Sequence, residues 1–377
     1  MSELADVLDR LLDADELGSL VGRPARAASV RAKPGALLVL GLADPATGRP
    51  TGWARVLWPA ASDKAAKTAE RARRRGLEVV ERSLPGGLVL QSGGIGTDPG
   101  LANPLRAARP KRLRELVDRP GPVLRYNPLR RVLVRDRDAV VRVAADTDPV
   151  PGALVRRLGS LGLPVPAVLD DGTQPHVTAR RFFGDTDLAH TPSAAGIRWA
   201  GETLARLHST TGDVLADDDL AATLGRRTPP TTMPTAVLRH LDPGLADRLD
   251  ALAARVADRR LDGPSVLLHG DASADQVLVD TATGVRQLND FDRAVLGPAA
   301  LDLGSWLAVD RLAGVDTSAA LLAGYAAGGG AVPDAATLTT ALARGLLLRS
   351  TAPARLGEPD WRAGIAARLD DLDEVLA

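Results

Sequence analysis

The pattern of apolar and polar positions divides the chain into a strand-rich first half and a helix-rich second half. In the first half, short β-prone runs alternate with turns rich in proline and glycine. In the second half, apolar residues recur every three or four positions, as in helices that bury one face. Helices are predicted over residues 195–210, 241–259, 299–309, 317–327, 335–349 and 360–376. This separation of strands from helices is typical of the α+β class.

The first half contains two β-rich stretches of similar outline. The first follows a predicted amphipathic helix over residues 3–20, and the second begins at Val123. In both, an arginine stands three residues before a proline, at Arg31 and Pro34 and again at Arg125 and Pro128. This partial repeat predicts that the first hundred residues copy part of the second sheet and pack on it as a cap. Two hairpins of similar origin are the alternative interpretation.

Composition and charge exclude several classes of function. The formal net charge is zero, which argues against general affinity for nucleic acid or for anionic membranes. The chain has no cysteine, so disulfides, zinc–thiolate sites and thiol nucleophiles are excluded. The N-terminus is amphipathic and acidic, unlike a signal peptide, and no apolar run is long enough to span a bilayer. We therefore expect a cytoplasmic protein.

Residues 277–289 predict a β-hairpin beside several polar side chains. Two β-prone runs, 277–279 and 285–289, flank a loop that ends in glycine. If Val279 pairs with Val285, Gln276 lies close to Asp290, because facing side chains in an antiparallel pair are about 5 Å apart.

Asp271, in a loop before this hairpin, and Asp292, just after it, complete a cluster of oxygen-bearing side chains. None of them has a basic neighbour close by in sequence that would obviously balance its charge. Three carboxylates repel one another unless a cation lies between them. Mg²⁺ is the usual cation in such a setting, because it prefers oxygen ligands and retains some of its water.

The order and spacing of these residues resemble a known family. His269, Gly270 and Asp271 are followed five residues later by Gln276, and then by the run that contains Asp290 and Phe291. This layout resembles the aminoglycoside phosphotransferase family, the small-molecule branch of the protein-kinase-like fold. The segment 293–304 also resembles the family's pattern, although it lacks the first aspartate of that pattern.

The resemblance implies an α+β, bilobal, protein-kinase-like fold with a β-rich N-lobe and a helical C-lobe. An additional β-rich cap, resembling a partial N-lobe, precedes it. The implied domains are a cap at residues 1–118, an N-lobe at 119–184, and a C-lobe with the catalytic and metal-binding loops at 185–377.

The resemblance also implies roles for the clustered residues. Asp271 would be catalytic and would accept or orient the proton of a substrate hydroxyl. Gln276 and Asp290 would hold Mg²⁺ against the phosphates of ATP or GTP, and Asp292 would assist as a ligand, directly or through water. His269 would hold the catalytic loop in place.

The implied N-lobe departs from the family at the nucleotide site. Arg142 stands where the family has a lysine, no lysine follows Lys111, and the first turn of the sheet has no glycine. Arg142 either replaces the lysine, since a guanidinium forms forked contacts with phosphate, or marks a site that has lost activity. Val177, Ala179 and Phe182, in the segment that resembles the hinge, are expected to offer backbone groups to a purine.

The resulting interpretation is a phosphotransferase that acts on a hydroxyl group of a small molecule such as a sugar, an aminoglycoside or another natural product. One alternative is a pseudokinase that binds or scaffolds; another is a kinase that acts on a peptide serine or threonine. Residues 213–234 are predicted to be a loop-rich insertion, whose acidic residues either meet a cationic substrate or are simply solvated.

Overall fold

The computed structural model describes residues 3–109, 111–117, 119, 121–148, 150–170, 172–228 and 235–377. It confirms the α+β class, with a β-rich N-terminal region followed by a helical C-terminal part. The end of the predicted cap, residue 118, lies outside the described residues, as do residues 229–234 of the predicted insertion. The domain boundaries therefore remain a prediction.

The chain begins with two short helices where one was predicted. These are α1 (Glu3–Leu12) and α2 (Ala14–Val21). The carboxylate of Asp13 between them accepts hydrogen bonds from the N–H groups of Asp15 and Glu16. A capping aspartate of this kind starts a new helix, which the apolar periodicity alone does not reveal.

The first sheet has five antiparallel strands in the order β1-β2-β3-β5-β4. These strands form the first of the two predicted β-rich stretches. The elements of this region are β1 (Arg26–Lys33), β2 (Leu37–Ala43), β3 (Pro50–Leu57), α3 (Asp63–Arg73), β4 (Val79–Leu84), β5 (Leu88–Gly93), α4 (Ala102–Ala107) and α5 (Leu113–Leu116).

The second sheet has four antiparallel strands in the order β6-β7-β8-β9. Its first three strands follow one another in the chain, as β1, β2 and β3 do, which agrees with the predicted partial repeat. The elements are β6 (Val123–Asn127), β7 (Arg131–Asp136), β8 (Ala139–Ala144), α6 (Val150–Ser160) and β9 (Val177–Arg181).

The remainder of the chain is mainly helical. Its short strands are β10 (Thr186–Asp187), β11 (Ser265–Leu268), β12 (Val277–Val279), β13 (Arg286–Leu288) and β14 (Val295–Pro298). Its helices are α7 (Ala194–Ser209), α8 (Thr211–Leu215), α9 (Asp218–Leu224), α10 (Thr235–Leu241), α11 (Pro243–Ala257), α12 (Ala300–Leu312), α13 (Ser318–Ala327), α14 (Ala335–Arg349), α15 (Ala352–Leu356) and α16 (Trp361–Leu376). Within the described ranges, no helix combines the length and the apolar character needed to cross a membrane.

Two predictions for the helical part are wrong in detail. The described part of the predicted insertion is largely helical, since it contains the end of α8 and all of α9. The carboxylate of Asp217 accepts from the N–H groups of Asp219 and Leu220 and caps α9. The predicted helix 241–259 begins only at Pro243, because the carboxylate of Asp242 caps α11.

The N-terminal region packs on two partners. Trp53 and Leu101 share a core with Val132 and Val134 of the second sheet, which agrees with the predicted packing of a cap on that sheet. A larger core joins the N-terminal helices and first sheet to C-terminal helices α10, α11, α14 and α16. The predicted contact is therefore present but incomplete, since the cap also covers the helical part.

Candidate active site

The predicted hairpin forms with its register shifted by one residue. Val279 pairs with Arg286, not with Val285. The loop between the two strands is one residue shorter than predicted, because the N–H of Asp280 donates to the carbonyl of Val285 over 3.0 Å. The N–H of Asn289 donates to the carbonyl of Gln276 over 2.9 Å, so Gln276 still lies opposite the residue next to Asp290.

A second strand pair brings the loop of Asp271 beside the loop of Asp290. Strand β11 leads into the first loop, β14 follows the second, and Leu268 pairs with Val295 between them. Nε2 of His269 and the carbonyl oxygen of Asn289 are 2.7 Å apart, and the His269 ring is fully buried. The contact joins the two loops, which is the kind of holding role predicted for His269.

Asp302, near the start of α12, holds the loop of Asp271 in place through hydrogen bonds to the loop backbone. Its carboxylate accepts from the N–H groups of His269, over 2.7 Å, and Gly270, over 2.9 Å. It also contacts Nε2 of His208 over 3.1 Å. Burial alone would raise the pKa of Asp302, but its interactions with His208, His269 and Gly270 outweigh burial and hold that pKa below its ordinary value.

His208, in the last turn of α7, occupies a structural position. Nδ1 of His208 lies 2.8 Å from the hydroxyl of Tyr325, and His208 is buried. Burial, together with the charge of Asp302, raises the pKa of Tyr325 to about 12. A series of contacts through His269, Asp302, His208 and Tyr325 thus connects the loop of Asp271 to helices α7, α12 and α13.

Gly270 allows the two loops to touch. Its φ of +79° lies in the left-handed region, and a Cβ on this residue would lie 2.1 Å from the carbonyl oxygen of Arg293. Only glycine accommodates both the conformation and this approach. Arg293 is therefore held directly against the loop that contains Asp271.

Two arginines contact Asp271. Arg293 and Arg349 each place a guanidinium nitrogen 3.1 Å from the same carboxylate oxygen. Arg349, in the last turn of α14, also donates to the hydroxyl of Ser305 over 2.9 Å and to the carbonyl of Gly345 over 3.2 Å. Motif spacing does not reveal Arg349, because it is 78 positions from Asp271.

Arginines of the second sheet reach the other two aspartates. Asp292 forms salt bridges with Arg131 and, over 3.4 Å, with Arg142. Asp290 has left-handed backbone angles, φ 61° and ψ 64°, and a carboxylate oxygen 3.7 Å from Arg125. Arginines that are distant in sequence therefore supply the positive charge that we expected from a metal ion alone.

Arg142 lies beside Asp292. Burial lowers the pKa of its guanidinium, nearby Arg180 lowers it further, and Asp290 raises it. Its Nε is buried and has no hydrogen-bond partner among the described residues. An unpaired buried donor of this kind is costly.

The backbone groups expected to meet a purine are engaged within the protein, and this prediction is wrong for the N–H groups concerned. Val177 donates to the carbonyl of Gln174, Ala179 to the carboxylate of Asp170, and Phe182 to the carbonyl of Asp138. Strand β9 pairs with β8 on one side and with residues 167–169 on the other. Both edges of the strand are therefore occupied at residues 179–181.

Two of the three predicted metal ligands fit a hard cation. Nε2 of Gln276 donates to Asp275 over 2.9 Å, which turns the amide oxygen away from Asp275. Asp290 has its basic neighbour beyond hydrogen-bonding distance, whereas both oxygens of Asp292 are engaged by arginines. In the described part of the chain, no group of three or more histidine, aspartate or glutamate residues is placed to hold a metal ion. Mg²⁺ commonly uses one or two protein oxygens together with substrate phosphates, and Gln276 with Asp290 meets that requirement.

Comparison with known proteins gives one family. The sequence profile of the phosphotransferase enzyme family matches residues 125–339. No curated protein sequence matches the chain.

Solved structures show a distant likeness. A choline/ethanolamine kinase family protein from Mesorhizobium loti is 19% identical, with 74% of this chain and 95% of that chain covered and a TM-score of 0.47. An ethanolamine kinase from Plasmodium vivax is 12% identical, with 71% and 85% covered and a TM-score of 0.47. A macrolide 2'-phosphotransferase type I is 19% identical, with 82% and 97% covered and a TM-score of 0.43.

Proposed function

Because this chain belongs to the phosphotransferase enzyme family, we propose that it transfers the γ-phosphoryl group of ATP or GTP to a hydroxyl group of a small molecule. The observation that supports this most is the meeting of Asp271, Asp290 and Asp292 with arginines of both the second sheet and the helical part. In this proposal, residues 1–118 form the cap, 119–184 the N-lobe and 185–377 the C-lobe.

Asp271 accepts or orients the proton of the acceptor hydroxyl. The acceptor oxygen then forms a bond to the γ-phosphorus while the bond between that phosphorus and the β-phosphate oxygen breaks. The products are a phosphomonoester and a nucleoside diphosphate, and the hydroxyl proton leaves by way of Asp271. The hydrogen bonds of Asp302 and His269 keep the Asp271 loop in position for this step.

Arginines take the place of the lysine and the glycine-rich turn. Arg131 and Arg142 lie on adjacent strands of the sheet and converge on Asp292, which positions them. Phosphoryl transfer depends mainly on placing the reactants and neutralising their charge, and permanently protonated guanidinium groups do both. Asp292 is thus a positioning residue for arginines and not a metal ligand in this proposal.

Gln276 and Asp290 are the residues that would hold Mg²⁺. When bound, the ion would neutralise part of the charge on the nucleotide phosphates. The hydrogen bond from the N–H of Asn289 to the carbonyl of Gln276 places the backbone of Gln276 beside the residue that precedes Asp290.

The test compares nucleotide binding and turnover in the wild type and Asp271→Asn. Binding of Mg-ATP and Mg-GTP is measured by calorimetry, and turnover by release of nucleoside diphosphate with a panel of hydroxyl compounds and with water. We expect Asp271→Asn to keep nucleotide affinity within about threefold and to lose more than about 99% of turnover. The matched control is Asp250→Asn, an exposed aspartate of α11 that pairs with Arg239.

Normal turnover by Asp271→Asn would show that the role of Asp271 is wrong. Nucleotide binding by the wild type without turnover on any compound or water would favour the pseudokinase. Phosphorylation of a peptide serine or threonine, with none of the small molecules accepted, would favour the peptide kinase.

A further inference from the structure

The helical part supplies its own arginines to Asp271, separate from those of the sheet. Arg293 and Arg349 bind the same oxygen of Asp271, and neither contacts Asp290 or Asp292 by an ion pair in the described part of the chain. Other arginines, on the second sheet, contact Asp290 and Asp292, which lie near the nucleotide in the proposed function. The residues around Asp271 are therefore expected to affect binding of the acceptor more than binding of the nucleotide.

The two arginines at Asp271 differ in how they are held. The side chain of Arg349 is 15% exposed and donates hydrogen bonds to Ser305 and Gly345, so its position is fixed. The side chain of Arg293 is 47% exposed, and its single ion pair among the described residues is with Asp271. Arg293 can therefore turn its guanidinium towards a ligand while Arg349 keeps Asp271 in place.

Arg355, at the end of α15, adds a third positive charge. It is exposed to solvent and lies within electrostatic range of Asp271 and Arg293. None of the ion pairs among the described residues includes it. Three guanidinium groups thus act on Asp271, and Asp275 is a second carboxylate within electrostatic range of Arg349.

This balance of charge opposes a cationic acceptor. A protonated amine or quaternary ammonium group beside Asp271 would meet like charges from Arg293, Arg349 and Arg355, which repel it at short range. Of the acidic residues that could meet such a substrate in the insertion, Asp217 is engaged as the cap of α9. An oxyanion, by contrast, would find donors of matching geometry in the exposed guanidinium groups.

We propose that the acceptor is a hydroxyl compound that also bears an oxyanion, either phosphate or carboxylate, and that Arg293 with Arg355 binds this group beside Asp271. The inference rests on the proposed phosphotransferase function and names its substrate class. The approach of the Arg293 backbone to Gly270 keeps Arg293 beside the loop that contains Asp271.

The test measures anion binding to the full chain by equilibrium dialysis. Radiolabelled sulfate stands for a phosphate group, acetate for a carboxylate, and tetramethylammonium for a cationic acceptor. Each is measured with and without a saturating non-hydrolysable analogue of ATP or GTP and Mg²⁺, so that the phosphate site of the sheet is filled in one arm. Nucleotide binding is scored first and separately.

We expect one sulfate or acetate to bind per nucleotide-saturated chain, and the anion that binds more tightly identifies the group. Arg293→Gln should weaken this binding at least fivefold, Arg293→Lys should keep most of it, and the exposed control Arg239→Gln should leave it unchanged. Tetramethylammonium should not bind.

Absence of binding for both anions, unchanged affinity in Arg293→Gln, or tighter binding of tetramethylammonium would overturn the inference. Failure of both nucleotides to bind would instead overturn the proposed function. The arm without nucleotide would then still show whether Arg293 binds an oxyanion, so the two failures are distinguishable.

Discussion

At the scale of single residues, Asp302 is the most heavily engaged carboxylate of the site. It joins two backbone N–H groups of the Asp271 loop to His208 of α7. A buried carboxylate is costly unless donors satisfy it, and here the donors lower its pKa in spite of burial. Asp302 therefore stabilises the fold only while it is ionised.

This gives a pH-dependent prediction for Asp302→Asn. Because the pKa of Asp302 is lower in the folded chain than in the unfolded chain, its contribution is present above the unfolded pKa of about 3.9 and is lost as the pH falls through the folded value. The variant should lose about 3 kcal/mol of unfolding free energy near pH 7. The difference from the wild type should shrink below about pH 4.

Urea denaturation of both proteins between about pH 3 and pH 7 measures this difference. Asp250→Asn, at an exposed site, is the control and should give a small difference that does not change in this way. An Asp302→Asn deficit that stays constant across this range would contradict the assigned role of ionised Asp302.

The acids of the site and Arg142 could be singled out from the sequence, but the ion pairs between acids and arginines could not be predicted. Asp271, Gln276 and Asp290 lie within one loop and one hairpin, where local spacing fixes which residues are neighbours. Arg142 meets Asp292 across 150 positions, a contact that only the packing of the sheet on the helical part creates.

At the scale of elements, α12 and α14 cross at very short distance. A Cβ on Gly304 of α12 would lie 2.3 Å from the carbonyl carbon and 2.4 Å from the carbonyl oxygen of Ala341. Backbone atoms cannot move aside as a flexible side chain can. Gly304 therefore lets α12, which carries Asp302, rest against α14, which carries Arg349.

We predict that Gly304→Ala destabilises the protein by roughly 2 kcal/mol, because overpacking outweighs the better helix propensity of alanine. Gly212→Ala is the matched control. Gly212 lies in helix α8 with open space around it, so the same change there should stabilise the protein by about 0.5 kcal/mol or more. Chemical denaturation of both variants measures the two effects, and equal signs would contradict the packing argument.

The hairpin shows how far local pattern extends. Its two strands were predicted correctly, but the loop is one residue shorter than predicted and the register is shifted by one residue. The error comes from the turn, where Asp280 accepts the N–H of Thr283 through its side chain and pairs with Val285 through its backbone. Alternation of apolar residues identifies the strands, whereas the chemistry of the turn sets their alignment.

At the scale of the whole molecule, the N-terminal region is part of the same core as the C-terminal helices. Leu8 of α1 is fully buried in the cluster that contains Trp361 and Leu372 of α16. The indole of Trp361 donates to the carboxylate of Asp9 over 3.0 Å. The cap also holds the turn between β6 and β7, because the buried carboxylate of Asp98 accepts the N–H of Leu129 over 2.8 Å.

The shared core predicts a single cooperative unfolding transition. Calorimetry should give one endotherm, with the calorimetric and van't Hoff enthalpies in agreement. Leu8→Ala should lower stability by about 3 kcal/mol and shift the unfolding reported by the whole chain, since it removes a buried side chain from the common core. Leu77→Ala, at an exposed position of the same region, should have little effect. An early separate transition for the N-terminal region would contradict this prediction.

The α+β class and the order of strands before helices could be predicted because both depend on local periodicity. The packing of the cap on the helical part could not, because it joins residues such as Asp9 and Trp361 that are 352 positions apart. The partial repeat pointed to the second sheet alone, since the resemblance between two sheets contains no information about a third partner.

In the proposed function, Asp271, Asp290 and the arginines around them bind a magnesium nucleotide for phosphoryl transfer. Calorimetric titration of the wild type and Asp290→Asn with ATP and GTP, each with and without Mg²⁺, tests this most directly. We expect Mg²⁺ to tighten binding of at least one nucleotide to the wild type about tenfold or more, and Asp290→Asn to lose this gain. Absence of binding to the wild type, or an equal gain in Asp290→Asn, would contradict it.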